Sequence, residues 1–514
     1  MDLALIERLR ADLTAARFTV DALSALWGGE AESALERGNR LPALRALGAD
    51  DSPRATLGTL FVLGMPVAVD VAAAALPALG LAGALELGVV EVSGADCLAL
   101  VDLRPYDFLD TQGAGSWWIA SDLGEVATGR PLRTDHVLGL GGASLTLSGL
   151  LIPDPVATVL DLGTGCGIQA LHASRWAGRV IATDISERAL KFARLNAGLN
   201  GVANIEFRRG SLFDPVVGER FDRIVSNPPF VITPRAIGVP EYEYRDGGMI
   251  GDALVEAVVA GAQEHLLPGG IAQLLGNWEY RAEPAGVGTD GLQRAADWAH
   301  AVGLDAWIIE RERQDPAQYA ETWIRDGGTR ADSADFERLC GAWLDDFAAR
   351  GVTGVGFGYL LLRHPASTGA PQLPPMRRVE RLDAPLGRGT AGLGSHLATA
   401  LAAADWQAAS SDAEVLAATL TVATDVTEER SYWPGEADPS VLLLRQGGGF
   451  RRELRVGTQL AAIVGACDGE LSLDAIVVAV AQLLDLDLDE LRLATVTEVR
   501  ELLVDGFLLV GSGG

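Results

Sequence analysis

The fold is decided by residues 159–167, which are Val159-Leu160-Asp161-Leu162-Gly163-Thr164-Gly165-Cys166-Gly167. Here an apolar run breaks into a glycine turn and continues as an apolar, helix-like stretch from Ile168 to Trp176. The three glycines remove every Cβ where the backbone must approach a ligand closely, and the following helix offers unpaired N–H groups at its positive dipole end. This pattern predicts a first parallel strand that delivers its loop to a bound nucleotide.

Two nucleotide-type cofactors suit such a loop, a dinucleotide and S-adenosylmethionine. A dinucleotide fingerprint requires its third glycine at position 168, where Ile168 stands, and this weakens the dinucleotide interpretation. A second apolar strand, Val180-Ile181-Ala182-Thr183-Asp184, ends in an acid about twenty residues further on. A carboxylate at that position can accept hydrogen bonds from both ribose hydroxyls.

A later strand, Phe221 to Ser226, ends in Asn227-Pro228-Pro229-Phe230. With the glycine loop and Asp184, this set resembles the class I S-adenosylmethionine-dependent methyltransferases. The Asn-Pro-Pro-Phe stretch is similar to the motif of enzymes that methylate an amide or exocyclic amino nitrogen. Within that group the sequence resembles the "small domain" methyltransferases, which include ribosomal RNA guanine and release-factor glutamine methyltransferases. The resemblance covers roughly residues 130–280 and neither end of the chain.

The resemblance implies a set of site residues. Those expected to bind S-adenosylmethionine are Asp161, Gly163, Thr164, Gly165, Gly167, Asp184, Ile185, Ser211, Leu212 and Asn227. Those expected to act in catalysis are Asn227, Pro228, Pro229 and Phe230, with Phe230 stacking on a planar substrate. Ser211 stands where the class commonly places an Asp for the adenine amino group, and it can accept only through its hydroxyl. Asp246-Gly247-Gly248 resembles a loop of the glutamine methyltransferases, and its length suits a substrate lid.

The alternation of strand and helix patterns from Val156 to Leu275 predicts an α/β fold, a doubly wound, Rossmann-like methyltransferase domain with a parallel sheet. The Gly163 loop, Asp184, Ser211 and Asn227 all follow predicted strands, so they should meet at one edge of the sheet. The stretch from residue 357 to residue 362 is predicted to be the last edge strand.

The two ends of the chain predict helical, winged-helix-like domains that flank the catalytic one. We expect an N-terminal domain over residues 1–112, the catalytic domain over 113–365, a linker over 366–389 and a C-terminal domain over 390–514. Helices followed by a two-stranded wing suggest the N-terminal assignment. The acidic C-terminal domain suits a protein or peptide partner better than phosphate.

Composition restricts the partners. The 514 residues have a formal net charge of −28, which argues against non-specific electrostatic binding of nucleic acid but does not exclude a local arginine patch.

No apolar stretch of bilayer-spanning length and no signal peptide is evident, so we expect a cytoplasmic protein without membrane association. The four cysteines lie far apart without a CxxC pair, so neither a disulfide framework nor a metal site is expected. The oligomeric state is not predicted.

Three functions remain open on this sequence. The leading expectation is a methyltransferase acting on an exocyclic amino group of an RNA base, which Phe230 and the flanking winged-helix-like domains favour. The alternative is a protein glutamine, peptide amide or small-molecule N-methyltransferase, which Asp246-Gly247-Gly248 and the acidic surface favour. The third is a non-catalytic cofactor-binding scaffold, which the presence of both Asp184 and Asn227 disfavours. Substrate choice depends on the flanks, where the resemblance ends.

Overall fold

The computed structural model describes residues 2–128, 132–282, 290–366, 376–387 and 392–511. The chain divides into two compact units. The first comprises Met1–Ser148, Asp154–Pro365 and Arg377–Arg381, and the second comprises Gly149–Pro153, Ala366–Met376 and Leu382–Gly514.

The N-terminal part of the first unit consists of short helices followed by strands. The helices are α1 (Leu3–Ala15), α2 (Val20–Glu36), α3 (Leu41–Leu47), α4 (Pro53–Leu57), α5 (Val69–Ala75) and α6 (Gly80–Leu87), with a π-helical turn at Gly58–Val62. The strands are β1 (Val67–Ala68), β2 (Val90–Ser93), β3 (Asp96–Ala99), β4 (Asp102–Asp110) and β5 (Gly113–Ser121). Strands β1 to β3 form a small antiparallel sheet, and β4 pairs with β5 in a separate hairpin.

Helix α1 shows why this region packs as it does. Its apolar residues recur every three or four positions, so Ile6, Leu9 and Leu13 lie on one buried face. The buried Asp12 carboxylate accepts the backbone N–H groups of Ala78 and Leu79, each at 2.8 Å, which ties α1 to the turn before α6. In the described ranges no one helix has both the length and the apolar character to cross a membrane, and only α5 and α6 taken together, bent by 91°, meet that test.

The rest of the first unit is built on one eight-stranded sheet. Its strands are β6 (Val156–Leu162), β7 (Ala177–Asp184), β8 (Ile205–Arg209), β9 (Phe221–Ser226), β10 (Leu266–Arg281), β11 (Asp305–Gln314), β12 (Val352–Arg363) and β13 (Arg377–Arg381). The spatial order is β13-β11-β12-β10-β9-β6-β7-β8. Neighbours from β8 to β10 pair in parallel, whereas β12 runs antiparallel to both β10 and β11. The α/β, Rossmann-like fold expected from the sequence is therefore present, with one reversed strand.

Helices separate the strands of this sheet along the chain. They are α7 (Glu125–Thr128), α8 (Gly142–Leu150), α9 (Ile168–Ser174), α10 (Glu187–Leu199), α11 (Ala253–His265), α12 (Gly291–Ala301), α13 (Pro316–Asp326) and α14 (Ala334–Ala349), with a 3₁₀ turn at Asp214–Val216. Apolar side chains from the sheet and from α11 and α12 form one core, in which Trp278 and Val258 are fully buried. The sheet and its helices therefore form a rigid platform for the loops at the strand ends.

Three sequence expectations differ from this architecture. The expected last edge strand lies within β12, between β10 and β11, and the edge is instead β13. That edge strand, Arg377–Arg381, falls inside the expected linker 366–389, of which residues 367–375 and 388–389 lie outside the described part. The expected boundary between residues 112 and 113 falls in the turn of the β4–β5 hairpin, where nine residue pairs join the two strands from Asp110↔Gly113 to Asp102↔Ser121. Residues 1–112 accordingly belong to the same compact unit as the catalytic sheet.

The second unit mixes helices with two small sheets. Its helices are α15 (Gly392–Ala409), α16 (Asp412–Ala417), α17 (Thr458–Gly465), α18 (Leu473–Leu484) and α19 (Leu488–Asp505). Its strands are β14 (Thr419–Val422), β15 (Val426–Ser431), β16 (Val441–Gln446), β17 (Glu453–Val456), β18 (Asp468–Ser472) and β19 (Leu508–Val510), in the orders β18-β14-β19 and β15-β16-β17. The helices expected over residues 390–514 are present, and the sequence does not predict the two small sheets beside them.

Candidate active site

The glycine loop joins β6 to α9. Gly163 and Gly165 have φ values of +73° and +56°, and a Cβ added to either would meet no atom within 4 Å. Gly167 has φ +89°, and an added Cβ would lie 3.0 Å from the side chain of Ala193 on α10. The first two glycines therefore give the loop a left-handed backbone beside open space, and the third allows close packing between helices.

Asp161 holds this loop in place through hydrogen bonds. Its side chain is 1% exposed, and Oδ2 accepts hydrogen bonds from Thr164 Oγ1 at 2.5 Å and from the Ala170 N–H at 2.9 Å. Burial raises the pKa of Asp161 to about 7. Asp161 does not line the cavity described below, so the structure gives this expected cofactor ligand the role of fixing the loop.

Asp184 ends β7 and faces the cavity beside Ile185. Its two carboxylate oxygens accept the backbone N–H groups of Gly165 at 2.9 Å and Ser186 at 2.8 Å. Burial raises the pKa of Asp184, and the nearby charge of Glu243 acts in the same direction. The carboxylate is thus held in place by the glycine loop and keeps lone pairs for hydroxyl groups of a ligand.

Ser211 and Leu212 follow β8 and also line the cavity. Leu212 has φ +45°, a left-handed conformation that is uncommon for a residue other than glycine. Such backbone strain concentrates at functional positions. Here it accompanies a turn that places Leu212 at the wall of the cavity.

Asn227, Pro228 and Pro229 follow β9 and line the same cavity, as the sequence predicts. The side-chain oxygen Oδ1 of Asn227 is buried and has no hydrogen-bond partner among the described residues. Phe230 differs from expectation because it is not part of the lining. Its ring lies instead against Phe357 and Trp323, with centroids 5.4 and 6.5 Å away, so packing in this aromatic cluster accounts for it.

These loops surround a cavity of about 490 Å³, within the size range of small-molecule sites. Besides the residues expected from the sequence, the lining includes His136, Val137, Leu138, Ser144, Gln169, Thr183, Arg209, Glu243, Tyr244 and Met249. Burial lowers the pKa of His136, whose ring packs against Tyr244. In the described parts of the chain no group of three or more His, Cys, Asp or Glu residues is placed to hold a metal ion.

Two lining residues, Gln169 and Thr183, are missed by the sequence reasoning. Gln169 Oε1 and Thr183 Oγ1 are buried and lack hydrogen-bond partners within the described chain. Both residues interrupt apolar runs, Gln169 at the start of α9 and Thr183 near the end of β7. A polar residue inside an apolar run beside the glycine loop is the signal that could have found them.

The loop after Phe230 forms another wall and is held by Arg235. The Arg235 guanidinium forms an ion pair with Asp246 and donates a hydrogen bond to the Met249 carbonyl at 2.9 Å. Asp246 also accepts the Gly248 N–H at 3.0 Å. The ion pair with Arg235 therefore holds the Asp246-Gly247-Gly248 stretch in place beside the cavity.

The cavity suits S-adenosylmethionine. Open space beside Gly163 and Gly165 admits a ligand next to the backbone, and the Asp184 carboxylate is available for ribose hydroxyls. Buried oxygens of Gln169 and Thr183 lack partners that a ligand can supply. A cavity with unpaired acceptors beside apolar walls fits a cofactor that has an ammonium group, hydroxyls and a nucleoside.

Comparisons with known proteins agree with this geometry. Residues 141–287 match the family "Methyltransferase small domain". Residues 15–100 match a family described as "Domain of unknown function (DUF7059)". The match at residues 141–287 contains the glycine loop, Asp184 and Asn227.

Several glutamine methyltransferases are similar to part of the chain. The release factor glutamine methyltransferase of Xylella fastidiosa (strain Temecula1) is 38% identical over 132 residues, 24% of this chain and 48% of that protein. The enzyme of the same name from Cereibacter sphaeroides is 38% identical over 172 residues, which are 31% of this chain and 61% of that protein. The ribosomal protein uL3 glutamine methyltransferase of Bradyrhizobium diazoefficiens is 37% identical over 135 residues, which are 24% of this chain and 42% of that protein.

The chain spans about half the length of the curated relatives it matches. The chain therefore contains a class I S-adenosylmethionine-dependent methyltransferase domain of the small-domain group.

Proposed function

We propose that this protein is an N-methyltransferase that uses S-adenosylmethionine to methylate the side-chain amide nitrogen of a glutamine in a protein. The observation that supports this most directly is Asn227. Its Oδ1 is buried and unpartnered at the wall of the cofactor-sized cavity, where the N–H of an acceptor amide can satisfy it.

We further propose which residues hold the cofactor. The loop from Gly163 to Gly167 would lie against it, Asp184 and Ile185 would hold the ribose, and Ser211 and Leu212 would hold the adenine. All of these residues except Gly167 line the cavity. Gly167 contributes by letting the loop pack on α10.

The chemistry needs orientation more than a strong base. An amide nitrogen is a weak nucleophile because its lone pair is conjugated, and its proton can leave after attack. The Asn227 Oδ1 and the Pro228 carbonyl would accept the two N–H groups and direct the lone pair, and the two prolines restrict that backbone. The bound cofactor supplies the methyl group. Positioning of this kind contributes several kcal/mol to catalysis.

A glutamine acceptor is better supported than the RNA base that the sequence alone favours. The relatives reported above are named for glutamine in release factors or in a ribosomal protein. The observation that favoured a base, an aromatic ring ready to stack, is weakened because Phe230 packs in an aromatic cluster outside the cavity lining.

The test is transfer of a radiolabelled methyl from S-adenosylmethionine into an extract that lacks the endogenous enzyme. The labelled material is divided, and one half is treated with protease and the other with ribonuclease. Label released by protease supports the proposal. Label released by ribonuclease would return the assignment to an RNA base, and label in neither fraction would indicate a small molecule or no transfer.

A further inference from the structure

Gln169 lines the cavity and has a buried side-chain amide oxygen. The residue lies in the first turn of α9 and is 3% exposed. Its Nε2 donates a 2.7 Å hydrogen bond to the backbone carbonyl of Ser144. Because a carbonyl can only accept, this bond fixes which end of the amide is nitrogen and directs Oε1 elsewhere. Oε1 is buried and unpartnered within the described chain, although Gln169 lines the cavity.

The strand order indicates which part of a cofactor would reach Gln169. Asp184 ends β7 and Leu212 follows β8, both on one side of the central strand β6, and Asn227 follows β9 on the other side. A cofactor with its ribose at Asp184 and its methyl near Asn227 must cross the end of β6. The loop that follows β6 leads directly into α9, which carries Gln169.

S-adenosylmethionine has three groups on its sulfur: the methyl, the adenosine and an amino-acid chain. With the first two directed to Asn227 and Asp184, the amino-acid chain is left for the wall formed by Ser144 and Gln169. That chain ends in an ammonium and a carboxylate, and of these only the ammonium can donate to an amide oxygen. A carboxylate facing Oε1 would repel it.

We propose that Gln169 Oε1 accepts a hydrogen bond from the ammonium group of the cofactor's amino-acid end, with the Ser144 carbonyl holding the amide in the required orientation. The inference rests on the cofactor part of the proposed function and is independent of the methyl acceptor. A buried amide oxygen without a partner is costly, so a charged donor that satisfies it should be recognised strongly.

The test is calorimetric binding of two ligands to the full chain without any acceptor. One is S-adenosylhomocysteine, and the other is its deamino analogue, in which hydrogen replaces the amino group. The variant Gln169→Met keeps the length of the side chain and removes the acceptor. We expect it to weaken S-adenosylhomocysteine binding about ten- to a hundredfold, the usual effect of a hydrogen bond to a charged group, and to leave the deamino analogue nearly unchanged.

The matched control is Thr233→Val, which removes a buried, unpartnered oxygen of a residue that does not line the cavity. It should leave the ratio of the two affinities as in the wild type. Thermal melting of each variant identifies a loss of folding, which would weaken both ligands equally.

Equal weakening of both ligands by Gln169→Met in a folded protein, or no change in either, would overturn the inference. A raised KM for the acceptor with an unchanged ratio would also overturn it, because it would place the oxygen on the amide substrate. Failure of the glutamine proposal alone would leave the ratio effect intact, so the two outcomes are distinguishable.

Discussion

Replacement of Asn227 by alanine should remove activity without removing stability. In the free protein the buried Oδ1 of Asn227 makes no hydrogen bond to any described residue. Leaving a polar group buried and unsatisfied costs about 1–3 kcal/mol. Truncation removes that cost and loses a few packing contacts, so the free energy of unfolding should rise or stay within about 1 kcal/mol of the wild-type value.

The expected effect on catalysis is much larger. Loss of a single hydrogen-bonding group that acts on the reacting atoms typically lowers kcat by about 10²–10³. Asn227→Ala should show a loss of this size in methyl transfer. Its affinity for S-adenosylhomocysteine should be close to that of the wild type, because Asp184 and the glycine loop hold the nucleoside.

Asn277 offers a matched control. It also has a buried, unpartnered Oδ1, but it does not line the cavity, and its Nδ2 donates to the Tyr319 hydroxyl at 2.5 Å. Asn277→Ala removes the same kind of unpartnered oxygen but also loses the hydrogen bond to Tyr319, so its stability should fall below that of Asn227→Ala by about 1 kcal/mol. Chemical denaturation, calorimetric ligand binding and initial rates on the three proteins provide the comparison. A loss of more than about 2 kcal/mol of stability in Asn227→Ala, or an equal loss of rate and ligand affinity, would refute the acceptor role.

Four further outcomes are expected. Asp184→Ala should weaken S-adenosylhomocysteine binding about a hundredfold. In the wild type that affinity should decline as pH falls, because burial raises the pKa of Asp184 and only the ionised form accepts both hydroxyls; a flat pH profile would argue against this. Arg235→Ala, which frees the Asp246 loop, should raise the KM of the acceptor and spare cofactor affinity, and steady-state kinetics that show the reverse would contradict it. Asp12→Ala should lower the free energy of unfolding by about 2–4 kcal/mol, because two backbone N–H groups lose their acceptor. Asp2→Ala removes only the exposed cap of the same helix and should cost about 1 kcal/mol. Equal losses for the two variants in denaturant titrations would contradict this role of Asp12.

The parallel half of the sheet could be predicted because its sequence pattern is local. Apolar runs bounded by glycine or polar residues predict strands, and the predicted strand from Phe221 to Ser226 has the bounds that the structure gives it. The loops that matter follow strand ends, so strand prediction also places Asp184 and Asn227 at one edge. Local patterns were therefore enough for the centre of the site.

The edge strand β13 could not be predicted because its residues, Arg377–Arg381, are mostly charged. Non-local pairs hold it: Glu380 accepts the Trp307 indole N–H at 2.8 Å, and Arg381 forms an ion pair with Glu310. Phe230 was assigned to the substrate for a similar reason. Its neighbours Trp323 and Phe357 are distant in sequence, so only the folded chain shows that they surround its ring.

The central claim is that Asn227 directs methyl transfer to a glutamine amide of a protein. The most direct measurement uses purified wild-type protein and Asn227→Ala, with labelled S-adenosylmethionine and a protein fraction from cells that lack the enzyme. The labelled proteins are digested completely with proteases, and the labelled amino acid is identified by mass spectrometry. The proposal predicts side-chain N-methylglutamine with the wild type and almost none with the variant. Label on another residue, or equal labelling by both proteins, would contradict it.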